Sequence, residues 1–251
     1  MLGAQRKQYL LKVLAETGQV IARTASRELG LSEDTIRRDL RELASEGRLQ
    51  RVHGGALPAS PAVGDFAARQ QLASDAKVAL GRAAAQLVRP GQIVVLDGGT
   101  TTLQLARHLP PDLKATVVTH SPTIAVALVE HPCVEVVLIG GRLFKHSVVA
   151  VGSAATEAIG RIRADLYFMG VTGIHPQAGL STGDLEESHI KRAFIASAAE
   201  TCVLVSAEKL NAASPYVIAA LTDIDAMIVE RGIPEEALQP YREAGLAVHR
   251  A

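Results

Sequence analysis

Arginines and a threonine share one side of a predicted helix near the amino terminus. The stretch Ser32 to Leu43, SEDTIRRDLREL, has an apolar stripe at i, i+4 and i+7, formed by Ile36, Leu40 and Leu43. Four other side chains lie outside this stripe: Thr35, Arg37, Arg38 and Arg41. Guanidinium groups on an exposed helix can bind base edges and phosphates, which favours contact with DNA in the major groove. An ordinary solvated arginine face gives the same pattern, so the helix alone leaves both interpretations open.

The flanking sequence predicts a helix–turn–helix. Ser32 can cap the arginine-bearing helix, and Glu33 and Asp34 suit the positive end of its dipole. Ahead of it, the pattern predicts an amphipathic helix over 5–17 and a short helix over 22–29, followed by a glycine turn. This spacing is typical of a motif whose second helix enters the major groove.

A short basic ribbon is predicted after the helix. Gly47 ends the helical run, and residues 48–55 combine basic residues with a glycine turn, as in a wing. Arg48 and Arg51 are therefore candidates for contacts with DNA phosphates or the flanking minor groove. Residues 1–56 carry ten Lys/Arg and seven Asp/Glu, a net charge of +3, although the whole chain is neutral. A local basic excess of this size predicts weak nonspecific binding and a need for two half-sites.

A second candidate site is a loop that follows an apolar run and opens a helix. It consists of two glycines between an acid and three hydroxyl residues: Asp97, Gly98, Gly99, Thr100, Thr101 and Thr102. The glycines let the backbone approach a ligand, and the N–H groups at the helix start favour an anion. The loop has neither a Walker A nor a GxGxxG pattern. It predicts a phosphate cradle, with a threonine-capped turn as the alternative.

Charged residues late in the chain are further candidates. Glu187 and Lys191 are four residues apart on one predicted helix, and Lys209 follows the strand-like run 202–206. At this spacing Glu187 and Lys191 ordinarily form a surface salt bridge. As functional groups, either lysine would neutralise a phosphate and Glu187 would accept hydrogen bonds from sugar hydroxyls.

Alternating elements would bring these candidates together. Six short, mostly apolar runs predict strands: 93–97, 115–119, 134–139, 165–171, 202–206 and 226–229. Helices are predicted near them, at 74–88, 101–109, 122–130, 153–162 and 186–200. Such a pattern predicts an α/β domain with a mostly parallel sheet. Ligands of such sheets bind beyond the carboxyl ends of strands, where polar or glycine loops occur at 97–102, 119–121, 140–142 and 170–173.

Composition limits the alternatives. With 251 residues and 48% hydrophobic content, the chain can form a small domain and a sizeable one. Only 3% of residues are aromatic, which argues against a stacking platform for RNA or single strands. Cys133 and Cys202 lie in apolar runs and are expected to be buried in a reducing cytosol. We expect a cytoplasmic protein with no membrane segment, metal site or cofactor.

Two motifs in order carry a family resemblance. S-E-D-T-I-R-R-D-L followed by E-G-R-L-Q-R-V-H-G-G-A resembles the winged helix–turn–helix of the DeoR family of bacterial transcriptional regulators. The later strings LDGGTTT, TVVTHS, LIGG, GVTGI and DLEESHIKRA resemble the family's effector domain. The resemblance implies a fold similar to ribose-5-phosphate isomerase and a phosphorylated sugar or related metabolite as effector. It also implies effector-site roles for Gly98 to Thr102, Glu187, Lys191 and Lys209.

Two strings depart from the family pattern. Residues 206–209 read S-A-E-K where the family often has D-x-S-K, and residues 173–175 read G-I-H where it often has G-I-D. Both changes remove groups that could contact a sugar, so the effector's identity stays open.

The sequence thus predicts three parts: a winged helix–turn–helix at 1–56, a linker at 57–73 and an α/β effector-binding and oligomerisation domain at 74–251. The main hypothesis is a non-enzymatic, homo-oligomeric repressor of carbohydrate-metabolism genes that binds a double-stranded operator and is released by a phosphorylated sugar. The alternative is a sugar-phosphate isomerase with an added N-terminal module, in which Glu187 or another carboxylate acts as base. Activation instead of repression, the operator sequence and the number of subunits are left open.

Overall fold

The computed structural model describes residues 2–62, 64–72 and 74–251. The amino-terminal part contains three helices and a small antiparallel sheet. These elements are α1 (Gly3–Thr17), β1 (Val20–Ile21), α2 (Ala22–Leu29), α3 (Glu33–Ser45), β2 (Gln50–Val52) and β3 (Gly55–Leu57). The strand order is β1-β3-β2. The apolar stripe of α3 packs against α1 in a separate core that includes Leu10, Leu14, Ile36, Leu40 and Leu43. The predicted winged helix–turn–helix elements are therefore present.

Helix α3 is fixed at its start and along its inner side. The Ser32 hydroxyl accepts a hydrogen bond from the Thr35 backbone N–H at 3.2 Å, as the predicted cap requires. Asp39 on α3 is buried and accepts two hydrogen bonds from the Arg6 guanidinium of α1, at 2.6 and 2.9 Å. This bidentate pair fixes α3 against α1.

The rest of the chain forms a larger α/β unit. Its helices are α4 (Phe66–Gln71), α5 (Ser74–Ala85), α6 (Thr100–Arg107), α7 (Pro122–Ala127), α8 (Ser153–Ile159), α9 (Leu185–Ser197) and α10 (Glu235–Glu243). Its strands are β4 (Ile93–Leu96), β5 (Thr116–Thr119), β6 (Glu135–Leu138), β7 (Arg142–Phe144), β8 (Val149–Val151), β9 (Ala164–Gly170), β10 (Gly173–His175), β11 (Gly179–Thr182), β12 (Ala198–Val205), β13 (Tyr216–Ala219), β14 (Ala226–Val229) and β15 (Ala247–Arg250).

Seven of these strands form one parallel sheet in the order β15-β14-β12-β9-β4-β5-β6. Helices α5, α6 and α7 pack on one face and α8, α9 and α10 on the other. The predicted parallel α/β sheet is confirmed. Several elements were not predicted: helices α4 and α10, strand β15, the β7–β8 hairpin and the small β10-β11-β13 sheet. The missed strands have only three or four residues each, and β15 carries His249 and Arg250, so their sequence signals are weak.

Strand order reverses between β4 and β9. From β4 the chain proceeds to β5 and β6 on one side, and from β9 it proceeds to β12, β14 and β15 on the other. Helices leaving adjacent strands in opposite directions open a crevice at their carboxyl ends. The loop after β4 begins at Asp97, so the predicted anion loop lies at this switch point.

Residues 58–62 and 64–72, which we call the joining segment, lie against the α/β unit. Pro58 O accepts a hydrogen bond from Ala213 N at 3.1 Å, and Ser60 N donates to Ala213 O at 3.3 Å. The segment also contains α4, whose start is capped by Asp65. The predicted linker is thus hydrogen bonded to its neighbours over part of its length.

Two other expectations concern cysteines and membranes. Cys202 is buried as predicted, but the prediction for Cys133 was wrong, because it is exposed beside the edge strand β6. Within the described part of the chain, no helix combines the length and apolar character needed to cross a bilayer.

Candidate functional site

The first candidate surface is the outer side of α3. Arg37, Arg38 and Arg41 are exposed there, and Thr35 is partly buried. Arg37 pairs with Glu33 one turn earlier at 2.8 Å. Arg38 and Arg41 form no ion pair with any described residue. Their guanidinium groups are therefore available to an external anion or base edge.

The ribbon adds basic residues beside this helix. Arg48 precedes β2 and Arg51 lies on it, and both are exposed. Arg37, Arg51 and His53 line one groove between α3 and the β2–β3 turn. The fold thus brings helix and ribbon into one concave surface, with Arg48 outside the groove.

The second site, which we call the strand-end pocket, lies where β4 and β9 end. Asp97 is fully buried beneath it. One carboxylate oxygen accepts from Gly98 N at 2.9 Å and faces His120 Nε2 at 3.0 Å. The other accepts from Gly170 N at 2.8 Å and from the Lys191 ammonium. With both oxygens occupied, Asp97 holds the two strand ends together.

The charge of Asp97 is stabilised by its neighbours. Burial alone would raise its pKa, but the Lys191 ammonium and then His120 outweigh burial and lower the pKa to about 2. Lys191 also donates to Gly170 O at 2.9 Å. The predicted surface pair between Glu187 and Lys191 is therefore absent, because the lysine turns inward to Asp97.

Eight of the nine predicted effector-site residues line the strand-end pocket: Gly98, Gly99, Thr100, Thr101, Thr102, Glu187, Lys191 and Lys209. The ninth, Asp97, is buried beneath the pocket and does not line it. Gly99 has φ +147°, a conformation that L side chains rarely adopt, and it precedes the amino terminus of α6. The Thr101 hydroxyl is buried without a hydrogen-bond partner in the described structure. This loop combines a helix amino terminus with an unused hydroxyl, as an anion site requires.

Lys209 contributes an ammonium from the other side of the pocket. It follows β12 and is buried. Burial, opposed by Glu208 and assisted by the cations Lys77, Arg69 and Lys191, lowers its pKa to about 8. An anion in the pocket would relieve this repulsion between cations.

Two of the lining cations were missed by the sequence analysis. Arg69 comes from α4 in the joining segment, and Lys77 comes from α5. Burial lowers the pKa of both side chains. Lys77 donates to the carbonyls of Arg69 and Leu72 and so fixes the segment's path. A single basic residue on a short polar helix gives no sequence signal for a buried site.

Comparisons with known proteins identify both parts of the chain. Residues 6–61 match the DeoR-like helix-turn-helix domain, and residues 72–231 match the DeoR C terminal sensor domain. The HTH-type transcriptional regulator GlpR of Haloferax volcanii is 32% identical over 251 residues, with 99% of this chain and 98% of the relative covered. A putative aga operon transcriptional repressor of Escherichia coli is 32% identical, with 98% and 93% covered.

A solved structure resembles part of the fold. The ribose 5-phosphate isomerase A of Methanocaldococcus jannaschii has a TM-score of 0.40 at 17% identity and covers 54% of each chain. The family matches and the two relatives confirm the regulator hypothesis and do not favour the isomerase alternative. The chain is therefore a member of the DeoR family of DNA-binding transcriptional regulators.

Proposed function

We propose that this regulator represses carbohydrate-metabolism genes and leaves its operator when a phosphorylated sugar fills the strand-end pocket. One observation carries the effector assignment: Thr101, whose buried hydroxyl has no partner among the described residues, lies at the α6 amino terminus and lines the same cavity as Lys209. Phosphate oxygens would accept from this hydroxyl, the loop N–H groups and the ammonium. The name of the Escherichia coli relative, an operon repressor, supports repression.

The DNA contacts divide by position on the winged helix–turn–helix. Thr35, Arg37 and Arg38 would face base edges in the major groove, and Ser32 holds that end of α3 in place. Arg41, Arg48 and Arg51 would contact phosphates or the flanking minor groove. The five arginines in these assignments are exposed on α3 and the ribbon, and Thr35 is partly buried.

The residues of the strand-end pocket would also have distinct roles. Gly98 to Thr102 and Lys209 would hold the phosphate, and Glu187 would accept from sugar hydroxyls. Lys191 and Asp97 would keep the floor of the pocket in shape. We assign DNA binding to 1–56, joining to 57–73, and effector binding and homo-oligomer formation to 74–251, in a protein that acts in the cytoplasm. A ligand can shift such a protein only through different affinities for its two states.

The test selects bound fragments from sheared host DNA and washes them with buffer or with a mixture of phosphorylated sugars. We expect one or a few sites beside catabolic genes, released only by the sugar mixture. Arg38→Ala should weaken binding to these sites. It should also either reduce the slope of log affinity against log salt concentration by about one, as for a lost phosphate contact, or reduce the preference for the base that Arg38 contacts. Arg161→Ala, an exposed arginine on the α/β unit, is the matched control and should bind as the unaltered protein does.

Other outcomes separate the parts of the proposal. Specific sites without release would keep the regulator and reject the phosphorylated sugar. Unchanged affinity and unchanged salt dependence in Arg38→Ala would reject the role of α3.

A further inference from the structure

The joining segment forms one wall of the strand-end pocket. Ala62, Arg69 and Leu72 line the cavity from this side. The Ser60 hydroxyl donates to the carbonyl of Thr172, which also lines it. The chain that leaves the wing therefore passes directly over the effector site.

Arg69 is the one charged side chain that the segment places in this wall. Its Nη2 donates to Ser147 Oγ at 3.2 Å, but its Nε is buried without a partner. Three buried side-chain polar atoms lack partners within the described residues, and two of them, Arg69 Nε and Thr101 Oγ1, belong to this pocket. Two unsatisfied buried donors on residues that line one pocket point to an acceptor bound there.

The charge of Arg69 is also uncompensated. Burial lowers its pKa, and the carboxylates of Glu187, Asp97 and Asp65 oppose that effect without forming an ion pair with it. Asp97 is already paired with Lys191. Arg69 forms no ion pair with any residue that the structure describes, yet a guanidinium stays charged in proteins. A bound anion would satisfy both the free N–H and the charge.

The pocket must open to admit a ligand. Its cavity volume is only about 30 Å3. Sites for small molecules usually measure about 300–1,000 Å3. Residues 58–62 directly follow β3 of the wing, so a displacement of this wall would move the chain that leads to the DNA-binding part.

We propose that Arg69 binds the phosphate of the effector, and that this contact, made from the joining segment, is what converts occupancy into release of DNA. The inference rests on the proposed function, because it assumes a phosphorylated effector in this pocket. Coupling requires a contact that differs between the DNA-bound and released states. Arg69 is placed to make such a contact, whereas Lys209 and the loop after β4 directly follow strands of the parallel sheet.

The experiment uses the full chain, an operator fragment from the selection, and a panel of pentose, hexose and glycerol monophosphates. Calorimetry measures ligand affinity and fluorescence anisotropy measures operator affinity with and without saturating ligand. Arg69→Gln should weaken ligand binding by at least about tenfold and leave the operator bound at saturation. Lys209→Gln should weaken the ligand similarly but still release at saturation. Arg82→Gln, an exposed arginine on α5, is the control and should match the unaltered protein.

The outcomes are distinguishable. If the unaltered protein binds and releases with a panel member but Arg69→Gln binds as tightly or releases as fully, this inference is overturned and the proposed function stands. If no panel member binds the unaltered protein, both this inference and the proposed function are rejected. If Arg69→Gln does not fold, Arg69→Lys is the variant to test, because it keeps the charge but lacks the planar guanidinium group. We expect weaker ligand binding and reduced release of the operator, and full release would reject the inference.

Discussion

At the scale of single residues, Asp97 connects the two halves of the sheet. Its carboxylate binds the backbone of Gly98 after β4 and of Gly170 at the end of β9. It is also the counter-ion of Lys191 on α9. A buried pair of this kind is strongly destabilised when one partner is removed, because the other charge remains buried.

Asp97→Asn should therefore lower the free energy of unfolding by about 3–5 kcal/mol, which corresponds to a melting temperature lower by roughly 10 °C. The pKa of Asp97 is about 2, below its ordinary 3.8, so the carboxylate stabilises the fold above pH 4 and loses that contribution as pH falls toward 2. The variant should lose this acid dependence. Thermal unfolding from pH 2 to 7 measures it, with exposed Asp112→Asn as control. Equal melting temperatures for variant and parent at pH 7 would contradict the assigned role.

At the scale of elements, the packing of α5 on α6 positions the anion loop. Gly81 of α5 lies so close to α6 that an added Cβ would come within 2.6 Å of the carbonyl carbon of Gln104 and the nitrogen of Leu105. Because α6 begins at Thr100, any movement of α6 also moves the loop of the strand-end pocket.

Gly81→Ala tests this contact, because the change in the free energy of unfolding should have the opposite sign from that expected in a free helix. In a free helix the change would stabilise by about 0.5–1 kcal/mol. Here the clash is with backbone, so we expect a loss of about 1–3 kcal/mol and weaker effector binding. Denaturant unfolding and calorimetry measure the two effects. Ala79→Ser on the exposed side of α5 should be nearly neutral, and a stabilised Gly81→Ala would show that the helices separate freely.

At the scale of the whole molecule, charge is divided between the two parts. Residues 1–56 have a net charge of +3 and the remainder has −3. A DNA-binding part with so small an excess should bind weakly alone, because phosphate contacts dominate nonspecific affinity. The proposed homo-oligomer would provide specific binding by holding two DNA-binding parts on one operator.

An operator with both half-sites should accordingly bind at least about a hundredfold more tightly than one with a single half-site. Inserting five base pairs between the half-sites should remove most of this gain, because it turns one half-site to the opposite side of the duplex. Anisotropy titrations at fixed salt measure all three fragments, and a ten-base-pair insertion is the control for length. Equal affinity for one and two half-sites would exclude cooperative binding by an oligomer.

The sequence by itself determined the elements whose signals are local. The Ser32 cap, the stripe of α3, the apolar strands and the glycine loop after β4 each depend on residues a few positions apart. These short-range patterns reflect backbone hydrogen bonding and periodic burial, which neighbouring residues control. They gave the two-part architecture and most of the residues that line the strand-end pocket.

Only the tertiary structure decided which distant residues meet. Lys191 pairs with Asp97, 94 residues away, instead of with Glu187 one turn before it. Arg69 enters the pocket from a segment read as a plain linker, and strand order places β9 beside β4. No local pattern encodes these contacts, because they arise when separate helices and strands bury their apolar faces together and the polar groups left at the strand ends find partners across the sheet.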